Sequence, residues 1–176
     1  QIKKVGVIGA GTMGAGIAGQ VANAGIAVWL LDLPSKGEDT NSLSNKGLAR
    51  IKNPDMPGLM STEAENLVHL GNTRDDFHEL ADCDWVAEAV VERLDVKQDL
   101  YHRLNKCCKA SAIITSNTST IPIKLLTEGM PHEFCERFAI THFFNPVRFM
   151  RLLELVRGEH TKNDVVDTLA MFSELQ

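Results

Sequence analysis

The sequence predicts an α/β protein built on a doubly wound, mostly parallel sheet with helices on both faces. Three observations predict this fold class. Short apolar runs alternate with stretches of helical periodicity along the chain. A glycine-rich turn, Gly9 to Gly14, joins the first apolar run to the first helical stretch. The composition, 44% hydrophobic and 23% charged over 176 residues, is typical of one globular domain.

The first elements form a strand–helix–strand unit. Val5–Ile8 is a short apolar run that fits a buried parallel strand. Small and apolar residues at helical spacing predict a helix over Thr12–Asn23, which Gly25 ends. Ala27–Leu31 is the second apolar run, and Asp32 closes it. We expect a right-handed crossover between the two strands.

The next segment is more polar. Pro34–Asn45 predicts a loop, and Leu43–Ile51 predicts a helix that Asn53-Pro54 stops. Glu63–Leu70 predicts another helical turn. Asn72-Thr73 is expected on or beside a short strand.

The second half repeats the alternation. Trp85–Val91 predicts a strand, Asp95–Lys109 a helix and Ala112–Thr115 a strand. Pro122–Glu128 suits a helix with proline in its first turn. The last predicted elements are strands at Phe138–Phe144 and Leu152–Val156 and a helix at Thr161–Leu175.

Charge and cysteine usage exclude several function classes. The net charge is −5 and no basic patch is visible, which argues against nucleic-acid binding. No apolar run is long enough to span a membrane. The four cysteines form no C-x-x-C pair, so we expect reduced thiols and no metal site. We therefore expect a cytoplasmic protein, or one of the mitochondrial matrix if a presequence has been removed.

The glycine-rich turn has the pattern Gly9-x-Gly11-x-x-Gly14, between a predicted strand and a predicted helix. Gly9 permits a tight turn, Gly11 lets the backbone approach a pyrophosphate, and Gly14 lets the helix pack close to the strand. The backbone N–H groups around Thr12 and Met13 then face the anion at the helix start. The pattern therefore predicts a dinucleotide site; the alternative is a flexible turn without a ligand.

Asp32 indicates which dinucleotide binds. It ends the second predicted strand, 23 residues after Gly9. A carboxylate there accepts hydrogen bonds from the ribose hydroxyls of adenosine. It would also repel a 2′-phosphate, so the sequence favours NAD over NADP.

Several segments resemble one family. His142-Phe143-Phe144-Asn145-Pro146 resembles the active-site signature of 3-hydroxyacyl-CoA dehydrogenases. The resemblance extends from about Lys3 to the last residue, with further family-like segments in family order at Gly9–Gly14, Glu88–Glu92, Ser116–Ser119 and Leu153–Val156. It implies a Rossmann-type NAD-binding domain over residues 1–176. It also implies oxidation of L-3-hydroxyacyl-CoA to 3-ketoacyl-CoA with NAD, in fatty-acid β-oxidation.

The resemblance also assigns residue roles. His142 resembles the catalytic base, and Glu154 the carboxylate that orients it. Ser119 resembles the hydroxyl that contacts substrate and cofactor, and Glu92 and Lys97 resemble residues on the nicotinamide-ribose side. These types suit the chemistry, because histidine accepts a hydroxyl proton near neutral pH and a carboxylate stabilises the resulting imidazolium. A serine hydroxyl can stabilise the developing alkoxide.

The substrate side involves two further residues. A turn at Asn145-Pro146 would bring the strand that carries Glu154 back beside His142, and Asn145 is expected at the substrate. In this family the region after the second strand helps to hold coenzyme A. Lys46, with Arg50 and Lys52 nearby, is therefore expected to meet its phosphates. The alternative is a solvated helix face.

Each role has a structural alternative. His142 is alternatively an ordinary surface or core histidine. Glu154, in an apolar run, is alternatively a buried carboxylate paired with Arg148 or Arg151. Further alternatives are that Ser119 only caps the helix that follows, and that Glu92 and Lys97 form a surface pair.

Family members continue into a second, all-helical domain that supplies another active-site asparagine and most of a dimer interface. We therefore expect this chain to be a fragment that binds NAD and turns over substrate poorly. The resemblance implies a homodimeric parent protein, and it leaves open a fusion to an enoyl-CoA hydratase module. Rival functions are another NAD-dependent hydroxyacid dehydrogenase, such as a gulonate dehydrogenase, and a non-catalytic relative of the lens-crystallin kind.

Overall fold

The computed structural model describes residues 1–174, which form a seven-stranded sheet flanked by helices. The strands are β1 Lys4–Ile8, β2 Ala27–Asp32, β3 Val68–Asn72, β4 Trp85–Glu88, β5 Ile113–Ser116, β6 Phe138–Phe143 and β7 Leu153–Arg157. The helices are α1 Thr12–Asn23, α2 Ser42–Ile51, α3 Thr62–Glu65, α4 Leu94–Cys107, α5 Ile123–Leu126, α6 His132–Glu136, α7 Asn163–Ser173 and a 3-10 helix at Phe77–Leu80.

The strand order is β3-β2-β1-β4-β5-β6-β7, and only the β6–β7 pair is antiparallel. The chain moves outward in one direction from β1 to β3 and then crosses back to place β4 on the other side of β1. In open α/β sheets, a ligand crevice forms at such a reversal, beyond the carboxyl ends of the strands. This arrangement confirms the doubly wound, mostly parallel fold and puts the glycine-rich turn at the crevice.

Hydrophobic clusters cover both faces of the sheet. Val5 and Val7 of β1 point into one cluster, where Phe172 of α7 packs edge-on against Trp85 at 5.3 Å between ring centroids. Ile8 belongs to the other cluster, in which Tyr101 of α4 is fully buried. Because both faces are covered, the parallel strands consist largely of apolar residues, as the sequence suggested.

One predicted element is wrong. The helical turn expected over Glu63–Leu70 is limited to the short helix α3, and the chain then enters β3. β3 pairs in parallel with β2 from Val28↔Val68 to Asp32↔Asn72. Pairing with a distant strand thus overrides the local helical tendency of this segment.

The other predicted elements are confirmed to within about three residues, the usual scatter of such boundaries. The helix expected over Thr161–Leu175 is α7, and Leu175 lies outside the described residues. Helix α6 and the 3-10 helix were not predicted. Over residues 1–174, no helix is long and apolar enough to cross a membrane, and no group of three histidine, cysteine or acidic residues is placed to bind a metal.

Two buried polar groups lie away from the crevice. The Arg137 guanidinium donates hydrogen bonds to the carbonyl oxygens of Lys109 and Ala112, both at 3.0 Å, and thereby ties the turn after α4 to the start of β6. The Thr115 hydroxyl accepts a hydrogen bond from Trp85 Nε1 at 2.9 Å and lies 2.7 Å from the Thr141 hydroxyl. Both groups place polar atoms in the core without leaving them unpartnered.

Candidate active site

Two glycines of the turn are required by the fold itself. Gly9 has φ +102°, and a Cβ there would lie 2.3 Å from the carbonyl oxygen of Ala89. A Cβ on Gly14 would lie 1.6 Å from the carbonyl oxygen of Gly9. Only glycine therefore allows the turn to close against the start of α1 and the end of β4.

Gly11 differs from these two glycines. It is the N-cap of α1, with φ −70° and ψ −168°, and no atom lies within 4 Å of the position that its Cβ would take. No side chain caps this helix end, and its first turn holds no acidic residue. The backbone N–H groups that begin at exposed Thr12 are thus open to an anion, and Met13 is half-buried beside them. The open space at Gly11 and the free helix start fit a pyrophosphate.

Asp32 lies at the carboxyl end of β2, beside the turn. Its Oδ2 accepts a hydrogen bond from the Ala10 N–H at 2.6 Å, and its Oδ1 accepts one from the Leu33 N–H at 2.6 Å. Each carboxylate oxygen can accept a second hydrogen bond, so the half-buried Asp32 is oriented and still has capacity for ribose hydroxyls. This environment suits the adenosine end of NAD.

Glu88, at the end of β4, is a buried carboxylate that the sequence analysis did not single out. It has no solvent exposure. Its Oε2 accepts hydrogen bonds from Lys97 Nζ at 2.6 Å and from the Val90 N–H at 3.0 Å. Its Oε1 accepts them from the hydroxyls of Tyr101 at 2.5 Å and Ser116 at 2.8 Å. A glutamate in the apolar run Trp85–Val91 was the available signal.

The structure separates the environments of Glu92 and Lys97. The Lys97 side chain is 2% exposed, and its ammonium lies between Glu88 and Glu92 Oε1, the latter at 3.4 Å. The Glu92 side chain is 43% exposed. Glu92 and Lys97 do form a pair, but the alternative of an ordinary surface pair is wrong, because the Lys97 side chain is buried. A buried ammonium is costly unless it is paired, which explains its contacts with two carboxylates. Both groups lie beyond the carboxyl end of β4, on the crevice side of the sheet.

His142 and Glu154 face each other across the last two strands. They are register partners in the antiparallel β6–β7 pair, and His142 Nδ1 lies 3.1 Å from Glu154 Oε2. The expectation that a turn through Asn145-Pro146 brings these residues together is confirmed. Glu154 is not buried, since its side chain is 54% exposed. The alternative of a buried pair with Arg148 is wrong, because Arg148 donates instead to the carbonyl oxygen of Pro57 at 2.6 Å.

Ser119 lies with His142 and Glu154 on one shallow pocket of about 270 Å³, whose apolar wall includes Ile140 and Val156. The Ser119 side chain is exposed. The alternative that Ser119 caps the next helix is wrong, because Pro122 is the N-cap of α5 and no side chain caps that helix. The Ile121 N–H, just before it, donates to Thr118 Oγ1 at 3.1 Å. The Ser119 hydroxyl is therefore left available to a ligand.

The turn that carries Ser119 is anchored from both sides. Ser116 Oγ accepts a hydrogen bond from the Thr118 N–H at 3.2 Å. Asn117 Oδ1 accepts one from the Phe143 N–H at 2.9 Å, next to His142 in the chain. Neighbouring strands thus hold the serine and the imidazole in one fixed arrangement.

The remaining substrate candidates lie elsewhere. Exposed Asn145 lines a second shallow cavity with Thr12 and Arg50, rather than the pocket of Ser119. Lys46 and Arg50 line a wide, open depression on α2. Lys52 forms an ion pair with Glu65 at 2.6 Å. Of the three cations on this helix and its end, Lys46 and Arg50 are thus the two better suited to meet a phosphate.

Comparisons with known proteins agree with this geometry. Residues 4–175 match the family model of the 3-hydroxyacyl-CoA dehydrogenase NAD-binding domain. A probable 3-hydroxyacyl-CoA dehydrogenase of Deinococcus radiodurans is 46% identical over an alignment of 176 positions, which covers 99% of this chain and 51% of that protein. A putative fatty acid oxidation complex trifunctional enzyme of Rickettsia felis is 41% identical over 173 residues, 98% of this chain and 24% of that protein.

Solved structures lead to the same family. The crystal structure of 3-hydroxybutyryl-CoA dehydrogenase from Escherichia coli superposes with a TM-score of 0.82 at 32% identity, over 99% of this chain and 36% of that chain. The present chain thus spans about half of the Deinococcus relative and about a quarter of the Rickettsia relative. By its sequence, its strand order and its glycine-rich turn, the chain belongs to the family of 3-hydroxyacyl-CoA dehydrogenase NAD-binding domains, whose cofactor is NAD.

Proposed function

We propose that the protein takes part in the NAD-dependent oxidation of L-3-hydroxyacyl-CoA to 3-ketoacyl-CoA, with His142 as the base. The observation that carries this proposal is the pairing of His142 Nδ1 with Glu154 at 3.1 Å beside the free hydroxyl of Ser119. Because Glu154 occupies Nδ1, the other ring nitrogen, Nε2, is left to exchange a proton with a ligand.

The proposed reaction is an alcohol oxidation, in which the 3-hydroxyl carbon loses a hydride and the hydroxyl oxygen loses a proton. NAD, when bound, supplies the acceptor for the hydride that leaves C3. His142 Nε2 takes the proton of the 3-hydroxyl, and the Glu154 carboxylate stabilises the imidazolium and holds its Nδ1–H. The Ser119 hydroxyl donates a hydrogen bond to the substrate oxygen while negative charge develops there. The reverse steps reduce a 3-ketoacyl thioester.

We assign the cofactor contacts along the crevice. The glycine-rich turn, with the backbone at Thr12 and Met13, would hold the pyrophosphate, and Asp32 would hold the adenosine ribose. Glu92 and Lys97 would line the nicotinamide-ribose side, with the exposed Glu92 carboxylate toward the ribose and the buried Lys97 ammonium holding that carboxylate from behind. On the substrate side, Asn145 and Lys46 are the proposed contacts, the latter through coenzyme A phosphates. The uncapped helix start and the two oriented oxygens of Asp32 support the first two assignments.

The wider setting is also a proposal. The Rickettsia relative is named a fatty acid oxidation complex trifunctional enzyme, which supports a role in β-oxidation and possible fusion to a hydratase module in a longer parent protein. A relative about twice as long supports the proposal that efficient turnover requires a second domain. That this domain is helical and that the parent is a homodimer are proposals that rest on the family resemblance alone. The proposed compartment is the cytoplasm, with the mitochondrial matrix as the alternative.

Reduction of acetoacetyl-CoA with NADH tests the proposed chemistry. We expect the 176-residue chain to bind NADH and to oxidise it slowly, in an assay at high protein concentration. His142→Gln should abolish this oxidation without weakening NADH binding. His102→Gln is the matched control, because His102 is exposed on α4. Wild-type turnover by His142→Gln would refute the role of the base, and rapid turnover by the wild-type chain would refute the need for a second domain.

Cofactor and substrate choice can be tested separately. Calorimetric titration should give tighter binding of NAD than of NADP, since the Asp32 carboxylate repels a 2′-phosphate; tighter NADP binding would contradict this assignment. Hydroxyacids without coenzyme A, such as gulonate, test the rival dehydrogenase functions. Oxidation of such a substrate in preference to 3-hydroxybutyryl-CoA would favour the rival.

A further inference from the structure

The Glu88 carboxylate joins parts of the chain that the proposed chemistry leaves unconnected. Its four hydrogen-bond donors come from the loop after β4, from two points on α4 and from the end of β5. Glu88 itself has no solvent exposure and therefore contacts no ligand. A buried carboxylate with every oxygen engaged by several donors is a rigid anchor, because each donor loses a partner if the carboxylate moves.

One side of this anchor leads to the cofactor. Oε2 holds the Lys97 ammonium at 2.6 Å and the Val90 N–H at 3.0 Å. Lys97 in turn reaches Glu92 at 3.4 Å. The position of the ammonium and the path of the loop from Val90 to Glu92 therefore both depend on Glu88.

The other side leads to the substrate pocket. Oε1 accepts the hydrogen bond of the Ser116 hydroxyl at 2.8 Å, so that the Ser116 oxygen is turned to accept the Thr118 N–H at 3.2 Å. Ser119 follows directly in the chain. The Asn117 N–H also donates to the Glu88 carbonyl oxygen at 2.8 Å, so side chain and backbone of Glu88 both hold this turn.

We propose that Glu88 is a positioning residue that sets the cofactor-side cation, Lys97, and the Ser119 turn at a fixed separation. The Ser119 half of this inference rests on the function proposed above, whereas the Lys97 half needs only NAD binding. The two halves share one carboxylate, so a change at Glu88 alters both sites although it contacts neither ligand.

The test compares NADH affinity among variants of the 176-residue chain. Glu88→Gln removes the negative charge that compensates the Lys97 ammonium, and its amide NH2 forces either Lys97 to move or the hydroxyls of Tyr101 and Ser116 to accept hydrogen bonds in place of donating them. We expect the Kd for NADH, measured by its fluorescence, to rise about tenfold. Glu88→Asp keeps the negative charge that compensates the buried ammonium but shortens the side chain, and it should raise the Kd less. A buried ammonium without its partner destabilises the fold, so Glu88→Gln could fail to fold. In that case Glu88→Asp provides the test of NADH affinity.

Thr115→Val is the matched control, since it removes buried hydrogen bonds from the same sheet while its side chain points to the face opposite that of Ser116. It should lower the thermal stability and leave the Kd for NADH unchanged. Ser116→Ala breaks the link from Glu88 to the Ser119 turn, so it should slow the reduction of acetoacetyl-CoA by a larger factor than it raises the Kd for NADH. All measurements are made below the unfolding transition of each variant.

The outcomes separate the two proposals. Wild-type NADH affinity in folded Glu88→Gln or Glu88→Asp would overturn the positioning role, as would an equal loss in Thr115→Val. A wild-type chain that binds NADH but never reduces acetoacetyl-CoA would count against the proposed function. In that case the rise in Kd in the Glu88 variants would still support the Lys97 half of the inference.

Discussion

Alanine substitution at two glycines of the same turn should affect different properties of the protein: its stability at Gly14, and its affinity for NADH alone at Gly11. Gly14→Ala puts a methyl carbon 1.6 Å from the Gly9 carbonyl oxygen and 2.8 Å from its carbonyl carbon, both backbone atoms. Gly11→Ala puts the methyl where no atom lies within 4 Å. The first substitution therefore strains the fold, and the second obstructs the space that we assign to the pyrophosphate.

The magnitudes follow from these distances. Relief of the Gly14 clash requires a separation of about 1.8 Å before ordinary contact at 3.4 Å is reached. Overpacking against yielding neighbours costs about 1–3 kcal/mol. Because the neighbours here are backbone, we expect about 3 kcal/mol or more and a Tm lowered by roughly 6–12 °C. Gly11 has φ −70°, which alanine adopts freely, and the weaker preference for alanine at an N-cap is offset by the lower conformational entropy of the unfolded chain. The free energy of unfolding should therefore change by less than about 1 kcal/mol.

Thermal unfolding and NADH titration of both variants test this reasoning. We expect Gly11→Ala to unfold at the wild-type temperature but to bind NADH at least about tenfold more weakly, a loss of about 1.4 kcal/mol. Gly14→Ala should lose stability and affinity together. Equal losses of Tm in the two variants, or wild-type NADH binding by Gly11→Ala, would refute the division of roles within the turn.

Three more predictions concern other parts of the molecule. Arg137→Met removes the donor of the buried Ala112 carbonyl oxygen and one of the two donors of the Lys109 carbonyl oxygen, which keeps the Ala112 N–H. It should lower the free energy of unfolding by about 1–3 kcal/mol in urea denaturation; no change would contradict this. Glu154→Gln keeps an acceptor for His142 but removes the charge, so NADH affinity should persist while acetoacetyl-CoA reduction slows by about tenfold or more; an unchanged rate would refute the stabilisation of the imidazolium by the carboxylate charge. Burial raises the pKa of Cys83 to about 12, so its thiolate is scarce at mildly alkaline pH and iodoacetamide should modify half-exposed Cys135 first, as read by peptide mass spectrometry; early modification of Cys83 would argue against its burial.

Elements with strong local signals were predicted well from the sequence. Helix α1 begins at Thr12 and ends at Asn23 as expected, because glycines bracket a run of helix-compatible residues. The short strand expected at Asn72-Thr73 is the end of β3, but residues 68–70 were assigned to a helical turn because β3 lies at the sheet edge and carries His69 and Asn72 among its apolar residues. Its identity depends on pairing with β2, which no local window of sequence contains.

The sequence likewise predicted the features of the site that depend on nearby residues, and not those that depend on the whole sheet. The sequence indicated that His142 and Glu154 come together, since a proline-containing turn separates two apolar runs. It did not indicate that Glu154 is exposed, because β7 forms the edge of the sheet and only the order of all seven strands reveals this. The importance of Glu88 was hidden for a related reason, since three of its four donors lie 9–28 residues away along the chain.

The antiparallel pairing of β6 with β7 determines which changes of chain length this region can accept. His142 and Glu154 oppose each other only because the two strands are in one register, and successive side chains alternate between the faces of a sheet. A single residue inserted into β7 before Glu154 would turn the carboxylate to the opposite face and separate it from the imidazole. A residue inserted into the connecting segment 144–152 would leave the register intact. The segment 144–152 can therefore change in length without parting the imidazole of His142 from the carboxylate of Glu154.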